Sequence, residues 1–359
     1  MTPLIIAATG ACTPMGTRSW QTASCLNAGL SAFTRKPISN HANHRATISV
    51  VSALEPTCVG VDRLIRLAAP ALAEALFAPP SLIPLVRPIP IFMALPEPQN
   101  ELPEYIDARR FALELPRSID VSAEYLPITT FAGGPVAGAD ALAAAYRFMF
   151  EHAEAPEVIV GGVDSLTDQP LIDLFYQRDW LQVNGHCDGF IASEGAAFVR
   201  LARRPASKHY VTVYPPSFGI ELSSRVNEQS MLTGAGLINA VTGALNAAQI
   251  PANALHGYWS DRDGSPRRGN ELTSLSAKLS PDMPPERSIA SFTGQLGATW
   301  VPLLLCLFDE MRQELHHPVV PRMLTGQAAL FSVSALSERL ASWIASWGYA
   351  RHIHELEIK

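Results

Sequence analysis

The stretch ITTFAGGPV at residues 128–136, together with VIVGGVDS at residues 158–165, decides the fold of this chain. Between them, Val136–Phe150 is rich in Ala and Leu and predicts a helix. Gly133 and Gly134 precede this helix, where the absence of Cβ atoms lets the backbone approach another group closely. Val158–Gly161 is a short apolar run that is typical of a buried strand. The region therefore predicts part of a layered α/β fold.

The alternation of apolar strand-like runs with helical runs continues along the chain and indicates two similar halves. In the first half the predicted elements are strands at Leu4–Ala8, Ile91–Ala94, Val158–Gly161 and Ala196–Leu201, and helices at Arg63–Phe77 and Leu171–Leu181. The pattern restarts after residues 201–207, with a strand at His209–Tyr214, a helix at Gly236–Ala248 and a strand at Ala254–Trp259. We therefore expect an N-terminal half, residues 1–204, and a C-terminal half, residues 205–359.

Composition excludes several classes of protein. The chain has 359 residues, of which 48% are hydrophobic and 17% are charged, as expected for a compact globular protein. Its net charge of -6 argues against a nucleic-acid groove, which needs clustered basic residues. The most apolar stretch, Trp300–Phe308, has about half the length that a membrane span needs. Five scattered cysteines without a CxxC pair are typical of reduced thiols, so we expect a cytoplasmic protein with no membrane contact.

Several motifs carry a family resemblance. Thr9–Gly16 reads TGACTPMG, Gly161–Ser165 reads GGVDS and Thr293–Ala298 reads TGQLGA. The most specific motif, DGFIASEGAA at residues 188–197, is a turn whose characteristic residues are Asp188, Gly189, Phe190, Glu194 and Gly195. With these motifs the chain resembles the β-ketoacyl synthases of the thiolase-like superfamily over most of its length. The resemblance implies an αβαβα layered fold made of two pseudo-repeated halves.

The same resemblance implies that the catalytic residues of these enzymes are missing. The enzymes use a cysteine thiolate to accept the acyl chain, two histidines beside it and a lysine that orders the second histidine. The cysteine position falls near Ala132, and no cysteine occurs from residue 59 to residue 186. The second histidine position falls on Gly294 and the lysine position on Ile289, so only His256 matches a catalytic residue. The late glycine-rich loop of the family is also missing, and we predict that the chain is inactive as a synthase.

One alternative is an enzyme with relocated residues, such as an acyltransferase or another protein that handles acyl thioesters. It would combine His256 with a serine, a threonine or Cys187. Cys187 lies between His186 and Asp188, but adjacent residues of an extended segment face opposite sides and rarely converge on one site. Thr129 and Thr130 lie near the nucleophile position, but the sequence offers no base to activate them.

A second alternative is an acyl-chain sensor that partners an active synthase. Such a protein would lose the thiol and keep the acyl tunnel, and it would bind acyl-CoA or acyl carrier protein. Phe131 and Pro135 are bulkier than the small residues usual beside the nucleophile. They favour a blocked tunnel and therefore argue for an adaptor.

A charge-rich segment at residues 261–271 is the candidate contact with a protein partner. It contains Asp261, Asp263, Arg267, Arg268 and Glu271. The segment lacks the spacing of acidic residues found in an EF-hand, so we predict no metal there. Its mixed charges are expected to pair with one another in a surface loop.

The leading hypothesis is a catalytically degenerate β-ketoacyl synthase-like protein that acts as a non-enzymatic binding or adaptor protein and needs no cofactor. Residues 260–264 resemble a divergent ketosynthase-like group found at bacterial type VI secretion loci, which suggests an accessory role there. Relatives usually form twofold dimers, so we expect a homodimer. The resemblance implies that Val158–Gly161 is the strand at the dimer edge.

Overall fold

The computed structural model describes residues 2–77, 87–102, 106–184, 188–205, 207–227, 230–279, 283–310 and 326–349. The strands are β1 Leu4–Cys12, β2 Phe33–Ile38, β3 His41–Ser49, β4 Ile91–Leu95, β5 Ile128–Ala132, β6 Glu157–Ser165, β7 Glu194–Ala202, β8 His209–Val213, β9 Ser217–Ile220, β10 Leu255–Ser260, β11 Glu286–Ser288, β12 Ala328–Ser334 and β13 Arg339–Tyr349. The α-helices are α1 Ser19–Asn27, α2 Gly60–Phe77, α3 Ala108–Arg117, α4 Gly134–Glu151, α5 Gln169–Gln177, α6 Ala235–Ala248, α7 Pro266–Leu279, α8 Ala290–Thr293 and α9 Trp300–Glu310.

One long mixed sheet runs through both halves of the molecule. Its strand order is β11-β10-β12-β13-β8-β1-β7-β6-β4-β5, and β9 pairs with β13 beside this path. The halves meet where β1 pairs with β8 through Leu4 and Ile5. In each half the inner strands are antiparallel and the outer strands are parallel. The carboxyl ends of β4 and β6 therefore lie together, as do those of β10 and β12.

The helices form three layers around the two halves of the sheet. Helix α4 packs on β4 and β6 on one side and on β12 and β13 on the other, and α9 lies beside it. Helix α2 packs on β1, β6 and β7, and α6 packs on β9 and β13 from the opposite outer side. The sequence-based prediction of an αβαβα arrangement is confirmed.

The central layer explains why α4 has no polar face. Ala137, Ala141 and Ala145 are fully buried, and every residue of α9 from Trp300 to Phe308 is buried. A Cβ at Gly138 would lie 2.6 Å from Cβ of Val301, so the two helices approach more closely than a larger residue allows. Small residues on α4 thus let it lie between two sheets.

The structure corrects two expectations about these elements and adds one element. Val158–Gly161 belongs to β6, which lies between β4 and β7, so it is an interior strand. Within the described residues, the N-terminal half of the sheet ends at β5 instead. Residues 266–271 begin helix α7 rather than completing a loop. The hairpin of β2 and β3 was not predicted, because its residues are mostly polar and lack a clear apolar alternation.

Candidate functional site

A cavity of about 50 Å³ lies between the two halves, where α4 begins. The carboxyl ends of β4, β6, β10 and β12 meet around it, and the residues that follow these strands form its wall. Ligands commonly bind at this end of parallel strands. The lining residues are Pro96, Glu97, Gln99, Gly134, Pro135, Asp164, Leu166, Leu171, Phe175, Phe190, Arg225, Asp261, Asp263, Arg267, Arg268, Gln295, Gly297, Ser334, Ala335 and Leu336.

Two residues of α4 line the cavity, Pro135 and the first residue of the helix, Gly134. Its φ of 58° lies in the left-handed region, which favours glycine. A Cβ at this position would lie 3.1 Å from Cβ and 3.2 Å from Oε2 of Glu97. Glu97 therefore occupies the space into which a nucleophile on this turn would project.

The structure places Ala132, the residue predicted to stand at the cysteine position, outside this cavity. Ala132 is the exposed last residue of β5 and lines a separate depression with Leu95 and Ile106. Gly134, two residues further along the chain, lines the cavity instead. Neither residue carries a nucleophilic side chain. Thr129 and Thr130 lie on β5 away from the cavity, and His186 and Cys187 lie outside the described residues.

Glu97 ties the two halves of the protein together across the cavity. Its Oε2 accepts a hydrogen bond from the Leu336 N–H at 2.8 Å, and its Oε1 accepts one from the Ser337 N–H at 3.0 Å. Burial raises the pKa of Glu97, although these N–H groups oppose the shift. Glu97 thus fills the nucleophile space and is held there by two backbone donors.

His256, the one residue that matches a catalytic position of the family, does not line the cavity. It is exposed near the start of β10, whereas Asp261 follows the last residue of the strand and lines the cavity. Five residues of extended chain separate the two by about 16 Å.

Gly294 has no room for a histidine side chain. Its φ is 74°, and a Cβ there would lie 2.8 Å from the carbonyl oxygen of Ile191 and 2.9 Å from Cβ of Ser193. The neighbouring Gln295 lines the cavity instead, and its Oε1 accepts hydrogen bonds from the Gly297 N–H and the Trp300 indole. Ile289, at the predicted lysine position, is buried in the apolar core. The described cavity therefore contains no histidine and no lysine.

Three charged residues of the segment at residues 261–271 are buried, although Gly264, Pro266 and Asn270 of the same segment are exposed. Asp261, Arg268 and Glu271 are each at most 4% exposed. Arg268 donates to both Asp261 and Glu271, and the Ser334 N–H donates to Oδ2 of Asp261 at 2.8 Å. Burial alone would lower the pKa of Arg268, but these two carboxylates raise it and keep the guanidinium charged. The charges pair with one another as expected, but they do so in the wall of the cavity.

The remaining members of this segment are also paired. Arg225 donates to Oδ2 of Asp263 at 2.5 Å, and Ser265 donates to Oδ1 of Asp263 through its N–H at 3.0 Å and its hydroxyl at 2.7 Å. Arg267 donates to Glu271 at 3.0 Å and to Ser223. Charges that are already paired with one another offer little to a protein partner, so this segment is a poor docking surface.

Asp164, the next-to-last residue of β6, is the most isolated charge at the cavity. It is 1% exposed, and its Oδ2 accepts a hydrogen bond from the Ala298 N–H at 2.8 Å. Its Oδ1 forms no hydrogen bond of good geometry. Burial raises the pKa of Asp164 to about 7; the N–H groups of Ala298 and Ser165 oppose this shift, and nearby Glu97 adds to it.

Sequence reasoning did not single out Glu97, Asp164 or Arg225 as site residues. A usable signal exists for the two acids. Glu97 follows the predicted strand Ile91–Ala94, and Asp164 lies at the end of another predicted strand. Polar residues at the carboxyl ends of parallel strands meet at one edge of the sheet. Arg225 lies in a segment without periodicity, so the sequence holds no comparable signal for it.

The turn at residues 188–195 has a structural role in the fold. Glu194 is fully buried and accepts hydrogen bonds from Arg63 at 2.5 and 2.6 Å, from the Val51 N–H at 2.7 Å and from Ser165 at 2.9 Å. Phe190 is buried against Phe175 and forms part of the cavity wall. Asp188 is exposed. Within this turn, only Phe190 lines the cavity.

Comparison with solved structures identifies the fold. The chain is similar to the ishigamide ketosynthase/chain length factor, with a TM-score of 0.71 and 17% identity over 97% of this chain and 100% of that one. A β-ketoacyl synthase from Burkholderia phymatum STM815 gives a TM-score of 0.71 and 15% identity over 98% and 100% of the two chains. A ketosynthase in complex with its chain length factor from Xenorhabdus doucetiae gives 0.72 and 15% over 97% and 98%.

These similarities establish a thiolase-like ketosynthase fold, as the sequence predicted. Identities this low show the fold alone. No protein-family model matches the sequence, and no curated protein matches it. In the part of the chain that the structure describes, no helix is long and apolar enough to span a membrane, and no cluster of three or more His, Cys, Asp or Glu residues is arranged to hold a metal ion.

Proposed function

We propose that this protein is a catalytically degenerate member of the ketosynthase fold that acts by binding a protein partner. One observation carries the proposal: the residue that begins α4 at the cavity is Gly134, and Glu97 fills the space of the absent side chain. A condensing reaction needs a nucleophile at this turn and stabilisation of the negative charge that develops beside it. Here the carboxyl group of Glu97 lies beside that position.

The size of the cavity argues against the acyl-chain sensor. Sites for drug-sized ligands occupy about 300–1,000 Å³, whereas this cavity has about 50 Å³. A long acyl chain does not fit unless the wall of ion pairs opens. Pro135 contributes to the wall, in line with the bulk expected from its sequence position, whereas Phe131 packs beside Ala94 and Ala137 instead.

The buried cysteines also offer no relocated nucleophile. Burial raises the pKa of the Cys12 thiol to about 12, with Glu194 and Glu74 adding to the effect. Burial likewise raises the pKa of Cys306. A thiol must ionise to attack a thioester, so these two groups are unreactive near neutral pH. Cys25 and Cys58 are half-buried and do not line the cavity.

The first experiment tests catalysis. Purified protein is incubated with malonyl-CoA and a range of acyl-CoAs while thiol release, carbon dioxide release and covalent adducts are followed, the last by intact mass. We expect no turnover and no adduct, with an active ketosynthase as the positive control. Turnover or an acyl adduct would overturn the proposal and favour the enzyme with relocated residues, and peptide mapping would then locate the nucleophile, with Cys187 as the first candidate.

Among the described residues no strand pairs with the outer side of β5, and this side is the proposed site of partner binding. Thr129 and Ala132 are exposed on this edge strand, and an unpaired strand edge can accept a strand from another chain. We propose a homodimer across this edge, and the same edge suits a second ketosynthase-fold subunit. Acyl carrier protein and a component of type VI secretion are further candidate partners, which capture from the native cell would identify.

Light scattering after gel filtration tests the homodimer. The unaltered protein is expected to have twice the mass of one chain. Thr129→Lys places a charge on the edge and should yield folded monomers, as judged by an unchanged circular dichroism spectrum. Thr273→Lys, on the exposed face of α7, is the control and should remain dimeric. A monomeric unaltered protein, or a dimer that survives Thr129→Lys, would rule out this interface.

A further inference from the structure

Exposed apolar side chains are concentrated on β9 and on the loop that follows it. The described residues include 12 large hydrophobic side chains that are well exposed, and 5 of them fall between residues 218 and 231. Single exposed apolar residues are ordinary on a protein, whereas a contiguous group of them commonly marks an interaction site. The group, which we name the β9 surface, consists of Phe218, Ile220, Leu222, Val226 and Met231, with exposed fractions of 37%, 65%, 63%, 60% and 85%.

Strand geometry places three of these side chains in one row. Phe218, Ile220 and Leu222 are exposed, whereas Gly219 and Glu221 between them are buried. Alternate residues of an extended chain share a face. The buried face lies against α6, and a Cβ at Gly219 would lie 1.9 Å from a backbone oxygen of that helix. Because β9 lies this close to α6, the apolar row is directed outward.

Hydrogen bonds hold the loop after β9 in place. Asn227 donates through Nδ2 to the Leu222 carbonyl oxygen at 3.1 Å. Oε1 of Glu221 accepts the N–H of Thr233 at 3.1 Å and its hydroxyl at 3.0 Å. A surface that is already ordered loses less conformational entropy on binding than a loop that must first be ordered. The β9 surface is therefore prepared for a contact.

The arginines that border the β9 surface are paired within the chain. The Arg339 guanidinium lies 5.6 Å from the centre of the Phe218 ring, and it donates to the two carboxylate oxygens of Asp140 at 2.8 and 2.7 Å. Arg225 pairs with Asp263 in the interior. Neither arginine offers a free cation to an acidic partner, and an unpaired charge buried against apolar side chains is costly. The complementary face of a partner is therefore apolar and uncharged.

The size of the β9 surface distinguishes between partners. At about 100 Å² for a fully exposed aliphatic side chain, its members present about 300 Å² of apolar area. A stable interface between globular subunits needs about 800 Å² on each partner, of which about 450 Å² is apolar. The row from Phe218 to Leu222 is about 13 Å long, close to the rise of about 11 Å in two turns of an α-helix. The surface is too small for a second copy of this chain and matches one helix.

We infer that the β9 surface binds one amphipathic α-helix of a partner protein, whose apolar face lies against Ile220, Leu222 and Met231. Helices that dock in this way present apolar anchors at positions i, i+3, i+4 and i+7. The polar face of the helix stays in water. This inference rests on the proposed binding function and adds a surface separate from the edge of β5.

Fluorescence anisotropy with a designed peptide and the full chain tests the inference. The probe is a fluorescein-labelled peptide of about 18 residues, because shorter isolated helices are marginal in water. It has leucine at the four anchor positions and alanine and glutamine elsewhere. We expect saturable binding with a Kd of about 100 μM or tighter. Two control peptides, one with the leucines distributed around the helix and one with a central proline, should bind at least about tenfold more weakly.

Two variants locate the site. Leu222→Ser combined with Met231→Ser removes two of the exposed apolar side chains and should weaken peptide binding at least about tenfold. Phe150→Ser is the matched control, because Phe150 is 75% exposed beside Leu4 near the end of α4. It should bind the peptide like the unaltered protein. Both variants are expected to keep the circular dichroism spectrum of the unaltered protein.

Four results would overturn the inference. They are no binding of the helical peptide, equal binding of either control peptide, binding that the double variant leaves unchanged, and a double variant that has lost the dimer mass in light scattering. The last result would assign the β9 surface to a second copy of this chain.

The outcome is separable from that of the proposed function. Absence of peptide binding, together with an intact dimer and an inactive acyl-CoA assay, would remove this inference and leave the proposed non-catalytic function in place. Peptide binding by a protein that also turns over acyl-CoA would refute the non-catalytic function and keep this inference.

Discussion

Two neighbouring residues of β6, Ser165 and Asp164, belong to two different buried clusters of charged groups. The clusters differ in how many of their polar atoms have hydrogen-bond partners. Ser165 donates to Glu194, whose carboxylate also receives Arg63 and the Val51 N–H. Asp164, one residue earlier, faces the cavity, and one of its oxygens has no hydrogen-bond partner. Successive residues of a strand point to opposite faces, so one strand serves both clusters.

The difference separates a structural cluster from a candidate binding site. The Glu194 cluster joins β7, α2 and Val51, the second residue after β3, in an arrangement that needs nothing further. The cavity cluster leaves Oδ1 of Asp164 and Nε of Arg268 without hydrogen-bond partners. Buried polar groups without partners are rare, and they commonly indicate a ligand, a water molecule or a functional demand. Incomplete pairing, rather than charge alone, is what distinguishes the cavity.

The largest effect is expected from a substitution that breaks the fully paired Glu194 cluster. Glu194→Ala leaves the buried guanidinium of Arg63 without its carboxylate, and removing one member of a buried ion pair typically costs about 3–5 kcal/mol of unfolding free energy. Urea denaturation followed by circular dichroism measures it. Glu114→Ala removes an exposed carboxylate that pairs with Arg110 and should cost less than about 1 kcal/mol. A Glu194→Ala loss as small as that of Glu114→Ala would contradict a structural role for Glu194.

The next effect concerns Asp164 in the cavity cluster, and it is an increase rather than a decrease in the unfolding free energy. Because burial raises the native pKa of Asp164 from 3.8 to about 7, the native state binds its proton more tightly than the unfolded state does. This contribution to stability is fully present below about pH 4 and is lost as the pH rises through about 7. Asp164→Asn removes the ionisation and should stabilise the protein above about pH 7 by up to about 4 kcal/mol.

The measurement is the unfolding free energy of the Asp164→Asn variant and of the unaltered protein at several pH values. The two should agree near about pH 4, diverge up to about pH 7 and then keep a constant difference. Asp120→Asn, which changes an exposed carboxylate, should show no such divergence. A variant that is less stable than the unaltered protein at high pH would mean that the Asp164 carboxylate is paired, and the contrast between the two clusters would disappear.

The sequence predicted the layered fold because periodicity and motif letters report it directly. Small residues and long apolar runs predicted α4 and β6, and the turn at residues 188–197 carried the family resemblance. The residues that line the cavity were not predictable from residue type for a physical reason. His256 matches a catalytic position of the family by its chemical type, whereas the residue that lines the cavity is Asp261, where β10 ends.

The burial of the charged segment was also not predictable from composition. Asp261, Arg268 and Glu271 look like surface residues one at a time, because isolated charges are costly to bury. They are buried as a mutually paired group, and such pairing depends on the angle at which α7 leaves the loop after β10. Glu97 was missed for a similar reason, since its role comes from its position beside Gly134 and from backbone donors about 240 residues away in the chain.

The smallest expected effect tests whether Glu97 truly fills the nucleophile space. Gly134→Ala adds a methyl group at φ 58°, which costs about 1–2 kcal/mol from backbone strain alone, and places it 3.1 Å from Glu97. Gly29→Ala is the matched control, because Gly29 has a φ of 67° and a Cβ there would meet nothing within 4 Å. We expect Gly134→Ala to cost about 1 kcal/mol more than Gly29→Ala in urea denaturation.

A double-mutant cycle attributes that excess to Glu97. Glu97→Gly removes both crowding side-chain atoms, Cβ and Oε2, so Gly134→Ala should then cost no more than Gly29→Ala, with a coupling of at least about 0.5 kcal/mol. An unchanged cost in the Glu97→Gly background would show that strain alone disfavours a side chain at Gly134. The space would then be open to a nucleophile, and the absence of one would rest on the glycine itself rather than on a carboxylate that has taken its place.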